Sequence, residues 1–171
     1  MMQAIPMRPR SIALICALAA LAAAAAAAQA SGASGGACVP AAIHHGPPPA
    51  WTGDAFEPST GGYVPPYSVS ADAGAAAFFF APTLRAGDPS NPANKVLWVV
   101  RYPRNGHPLK ISGRYGGNAK LTAHSSWPAD SSPGAIYPSY VNLPKAGCWE
   151  LTLRWGTHRT RLDVEVHPRT H

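Results

Sequence analysis

Apolar and polar residues alternate most clearly near the C-terminus. From Cys148 to Trp155, Trp149, Leu151, Leu153 and Trp155 fall on one side, and Glu150, Thr152 and Arg154 on the other. Thr160 to His167 repeats the pattern, with Leu162, Val164 and Val166 inward and Arg161, Asp163 and Glu165 outward. A two-residue period with one polar side predicts strands with one wet face, and Gly156-Thr157 between them predicts a hairpin turn. Leu109 to Arg114 alternates too, Leu109 and Ile111 inward against Lys110 and Ser112 outward. Two segments are apolar throughout: Phe78-Phe79-Phe80 within Ala75 to Leu84, and Val96-Leu97-Trp98-Val99-Val100 within Lys95 to Tyr102. Runs this short read as buried strands, the first lying under a covering segment or packed on both sides.

Turn signals separate these runs. Asn105-Gly106 is the pair favoured in two-residue turns, so Lys95–Tyr102 and Leu109–Arg114 are expected to form a hairpin. Gly116-Gly117 turns the chain again before a short strand at Lys120 to Ala123, and Asp88-Pro89-Ser90-Asn91-Pro92 is a turn cluster. Ser125 to Tyr140, rich in proline and serine, reads as a loop that exposes Trp127, Tyr137 and Tyr140. No helical period follows residue 30. The expected fold is all-β, a two-sheet sandwich over residues 71–171 preceded by an irregular, Pro/Gly-rich arm over 31–70. Gly46-Pro47-Pro48-Pro49 enforces extended backbone in that arm, with Trp51 and Phe56 as anchors.

The first 30 residues are of a different kind. Arg8 and Arg10 precede an apolar run from Ile12 to about Ala28, and Ala28-Gln29-Ala30 follows. Basic region, apolar region and A-x-A site are the parts of a secretory signal, with cleavage expected after Ala30. The alternative is a membrane anchor, for which the run is at the short limit. The expected location is exported: periplasmic, cell-envelope or extracellular, with no membrane span left after cleavage.

About 140 residues would then remain, a length suited to one domain. Of three cysteines, Cys16 lies in the signal, leaving Cys38 and Cys148. An even pair in an exported chain reads as a disulfide. Charge is uneven: Ser31–Asp88 carries about −3 and Pro89 onward about +7. Either the two parts pack together, or the basic part faces an anionic partner such as an envelope polymer or phospholipid headgroups. Nucleic acid is not expected, since no recognition helix or single-strand-binding motif is present.

Tyr140-Val141-Asn142-Leu143-Pro144-Lys145-Ala146-Gly147-Cys148-Trp149-Glu150-Leu151-Thr152 resembles a recurring ending of exported bacterial immunoglobulin-like domains, in which proline and then glycine lead into a Cys-Trp-Glu-aliphatic-Thr strand. The segment Lys95 to Arg114 is similar to their central strand pair, so the resemblance covers roughly Val96 to Val166. It implies an immunoglobulin-like β-sandwich and an envelope or secreted location, and implies no reaction. A disulfide from Cys148 to the N-terminal arm departs from ordinary immunoglobulin domains and leaves the strand order open.

No complete catalytic or cofactor motif is present, so a non-enzymatic binding module is the first expectation, with no cofactor and an envelope protein or an anionic or sugar polymer as partner. Its candidate ligand residues are Trp127, Tyr137, Tyr140, Arg104 and Arg114, because exposed aromatics beside arginines are what binding surfaces use. The alternative is a small copper- or zinc-binding protein using His44 and His45, although neighbouring side chains of extended backbone point apart. A hydrolase ranks third: His124-Ser125-Ser126 and Ser131-Ser132 are present, but no G-x-S-x-G elbow.

Overall fold

The computed structural model describes residues 38–55, 63–87, 94–116, 118–129 and 135–169. The segment read as a signal, Phe56, the Asp88–Pro92 cluster, Ser131, Ser132 and His171 lie outside them.

Two β-sheets pack face to face. The four-stranded sheet contains β1 (Tyr67–Val69), β2 (Ala75–Phe79), β4 (Lys95–Val100) and β7 (Ile136–Tyr140), in the order β1-β2-β4-β7 and antiparallel throughout. The five-stranded sheet contains β3 (Leu84–Arg85), β5 (Leu109–Tyr115), β6 (Asn118–Trp127), β8 (Gly147–Trp155) and β9 (His158–His167), in the order β3-β9-β8-β5-β6. Only the short β3–β9 pair is parallel among these strands. The chain is an all-β sandwich.

The core between the sheets follows the alternation. Trp149, Leu151, Leu153 and Trp155 of β8 and Leu162, Val164 and Val166 of β9 meet Val96, Trp98 and Val100 of β4. Trp98, Trp149 and Trp155 are fully buried. Withdrawing about 200 Å² of each ring from water stabilises the fold by roughly 5 kcal/mol apiece. Each indole N–H keeps a partner: Ser139 Oγ at 2.9 Å, the Lys145 carbonyl at 2.8 Å and the Tyr102 carbonyl at 3.3 Å, respectively.

A second apolar layer explains why β2 and β4 lack a wet face. Tyr67, Ala76, Phe78, Leu97, Val99 and Ile136 form the outer side of the four-stranded sheet, and Trp51 and Val64 pack over them. Trp51 belongs to a 3-10 turn, Ala50–Ala55. The arm is held by backbone as well: His44 and Tyr67 exchange N–H···O bonds of 2.7 and 3.1 Å, and Ala41 N donates to the Asp163 carbonyl at 2.9 Å. Cys38 and Cys148 form a disulfide, Cα to Cα 5.9 Å. The sandwich therefore begins at β1, inside the span expected to be an arm, and residues 38–55 are a docked layer of it.

Three further expectations change. β4 and β5 are not a hairpin, because β4 is flanked by β2 and β7 and has no free edge. The Asn-Gly turn does form, with positive φ at Asn105 (47°) and Gly106 (74°), but it carries the chain from one sheet to the other. Pro103 and Pro108 bracket it and remove the N–H donors that a ladder beside the turn would need. The strand expected at Lys120–Ala123 is the middle of the ten-residue β6. Much of the expected Ser125–Tyr140 loop is also strand: Trp127 ends β6, and Tyr137 and Tyr140 lie on β7.

Candidate functional site

β6 and β7 are edge strands of different sheets, and they border the same side of the sandwich. Trp127 closes β6, where the inward positions are occupied by Ala123, Ser125 and Trp127. Tyr140 closes β7. Their rings face across a gap of 6.5 Å between centroids, tilted by 49°. Tyr140 is 37% exposed and Trp127 half-buried. The Trp127 indole N–H donates to Ser125 Oγ at 3.2 Å, which fixes the ring against its own strand.

Beside the two rings lies a cleft of about 110 Å³, which both of them line. Ile111, Leu143 and Leu151 make its apolar inner wall; Ser125, His124 and Asn142 supply polar groups around it. Gly113 lies at the base, where an added Cβ would come within 3.1 Å of Leu151 and Trp149 side-chain atoms. Small-molecule sites typically span 300–1,000 Å³, so a cleft this size fits one ring or side chain of a larger ligand.

Of the five candidate ligand residues, the fold brings Trp127 and Tyr140 together and sets the other three to structural tasks. Tyr137 is wholly buried; three residues from Tyr140 on one strand, it points to the opposite face. Its hydroxyl donates to the His107 carbonyl at 2.8 Å, and burial, opposed by the nearby Arg104 charge, raises its pKa above the usual phenol value. Arg104 lies over the Tyr137 ring at 5.5 Å and donates to the Ile136 carbonyl at 2.6 Å, tying the sheet-crossing loop to β7. Arg114 pairs with Glu150 across the β5–β8 ladder.

The histidine arm is placed differently from a metal site. His44 is a β-bridge residue whose ring stacks on Tyr67 at 5.3 Å between centroids. Among the described residues, neither His44 nor His45 belongs to a group of three potential ligand atoms close enough to share an ion. One such group does exist, Cys38, Cys148 and Asp163, but both thiols are consumed in the disulfide. Asp163 has its pKa raised by burial and by the facing Glu150, against the pull of the Val39 N–H and Arg161. His124 and Ser125 are strand neighbours with side chains on opposite faces, and among the described residues no serine hydroxyl is bonded to a histidine.

Neither a family model, nor a curated protein, nor a solved structure matches this chain.

Proposed function

We propose that this chain is an exported, immunoglobulin-like binding module without catalysis of its own, and that it holds one ring of a sugar polymer at the Trp127–Tyr140 cleft. The carrying observation is that pair of partly exposed rings, set 6.5 Å apart at the mouth of an apolar recess, in a fold whose other three described tryptophans on strands are fully buried. Tryptophan and tyrosine combine a large apolar face with a polar tip, and the hydroxyl, imidazole and amide groups at the rim match the amphipathic faces of a sugar ring. Export is supported by the disulfide between the two cysteines that follow the signal-like segment.

The test is retention on a panel of immobilised neutral and acidic polysaccharides, with Trp127→Ala and Tyr140→Ala measured singly. Both substitutions are expected to lower retention at least tenfold while Tm stays near that of the parent. Retention unaffected by either substitution, or a loss of Tm that accounts for the loss of retention, would remove the cleft as the site.

A further inference from the structure

The five-stranded sheet turns one face to the core and the other to water. On the wet face the register places Lys110 of β5 directly opposite Arg154 of β8, and Arg154 directly opposite Arg159 of β9. All three are exposed. With strands about 4.8 Å apart, they form a line of cations roughly 10 Å long across the sheet. Ser126 of β6 continues the line on the other side of Lys110. The next row contains His124, Ser112, Thr152 and Arg161, again without an acid. Acids begin in the third row, Arg114–Glu150–Asp163, where Glu150 is engaged by Arg114 and Arg161, and continue with Glu165 in the fourth. Among the described residues, Lys110, Arg154 and Arg159 have no ion-pair partner.

This arrangement works against the fold. Like charges directly opposite in an antiparallel pair are destabilising, and here two such pairs share one row. Among the described residues no acid is paired with them, which leaves the row open to an anionic partner.

We propose that this face binds an acidic polysaccharide, with its carboxylate or sulfate groups along the Lys110–Arg154–Arg159 row and its hydroxyls on Ser112 and Ser126. The inference rests on the binding-module reading and names the charge class of the polymer, although the face is distinct from the aromatic cleft. The two surfaces adjoin, since His124 and Ser125 border both. Insertion into a membrane surface would need exposed apolar side chains, and these rows contain none. A single-stranded nucleic acid would be met by stacking rings, and these rows contain no aromatic residue other than His124.

The experiment compares binding of the full chain to polygalacturonate and to neutral dextran, at low and high salt, alongside phosphatidylglycerol-containing vesicles and single-stranded DNA. The parent is expected to prefer polygalacturonate over dextran, with the preference falling as salt rises. In the triple variant Lys110→Gln, Arg154→Gln, Arg159→Gln, affinity for the acidic polymer should drop about 100-fold, at roughly fivefold per cation. Its Tm at low salt should equal or exceed the parent's, because the repulsion is gone. Arg154→Lys with Arg159→Lys should retain binding, which separates charge from packing. A triple variant that keeps the acidic preference, a parent without it, or a parent that binds vesicles or DNA more tightly than polygalacturonate would overturn the inference. Trp127→Ala and Tyr140→Ala distinguish the two sites: they should weaken neutral and acidic polymers alike and leave the acidic preference intact, and failure of that result bears on the cleft alone.

Discussion

Replacing Cys38 and Cys148 by serine removes a crosslink between residues separated by 110 positions. A loop of that length restricts the unfolded chain strongly, and the chain-entropy relation assigns it about 4 to 5 kcal/mol. Against a typical total of 5–15 kcal/mol for a domain, that is at least about a quarter of the stability. The folded arm keeps other holds: Val39 N to Asp163 Oδ2 at 3.1 Å, Ala41 N to the Asp163 carbonyl, the two bonds with Tyr67, and Ser68 Oγ to the Ala42 carbonyl at 2.8 Å. The native arm should therefore stay docked, with the effect confined to the unfolded ensemble. Urea unfolding checks this, because the slope m follows the surface exposed on unfolding. Stability should fall by about 4 kcal/mol, Tm by roughly 15 °C, and m should rise as the uncrosslinked chain expands further. A loss below about 1 kcal/mol would refute the entropic account. A fall in m would refute the docked arm, since it would mean that part of the native surface was already released.

Two more perturbations test individual assignments. Asp163→Asn should stabilise the fold at neutral pH and lose its advantage in acid: burial raises the carboxyl's folded pKa, so the parent's stability is fullest below the unfolded value and declines as pH rises through the folded one; Tm of both proteins between about pH 3 and 7 measures it, and a constant difference would contradict the shift. Tyr137→Phe should lower stability by about 1 kcal/mol through loss of the bond to the His107 carbonyl, leave polymer retention unchanged, and abolish the part of the alkaline destabilisation that develops as pH rises from the unfolded phenol value through Tyr137's raised folded one; reduced retention at unchanged Tm would restore Tyr137 to the ligand site.

Burial patterns could be read from the sequence where side chains are large. β8 and β9 alternate tryptophan and branched aliphatics with charged residues, and their hairpin is where the pattern puts it. β4, an uninterrupted apolar run, has two neighbours and a covered outer face. β6 was legible only in part, because its inward residues Ala123 and Ser125 are too small and too polar to mark an apolar face. β7 carries Pro138, which argues against a central strand, and it is indeed an edge. The arm's prolines indicated extended backbone, but docking depends on a bare apolar surface that the sheet assembles from β1, β2, β4 and β7. Within the site, Trp127 and Tyr140 could be named in advance only as members of a set that also held Tyr137, Arg104 and Arg114. Their facing across two sheets could not, nor could the cation row, which joins Lys110 of β5 to the distant β8–β9 hairpin that carries Arg154 and Arg159.

The crossing at Asn105-Gly106 connects these observations. A two-residue turn sets local direction; it does not choose the partner of the strand that follows. Had β5 remained beside β4, Lys110 would have stood next to the covered four-stranded sheet, far from Arg154. Because the chain crosses between sheets, β5 enters the middle of the five-stranded sheet, with β6 on one side and β8 on the other. That placement puts Lys110 opposite Arg154, supplies Ile111 and Gly113 to the base of the cleft, and makes β6 the edge that carries Trp127 toward Tyr140. Tyr102, Arg104 and His107 in the crossing are each bonded to the sandwich, through Trp155, Ile136 and Tyr137. Both proposed surfaces thus depend on one short connection, and the residues that first looked like ligand contacts, Arg104 and Tyr137, are the ones that hold it.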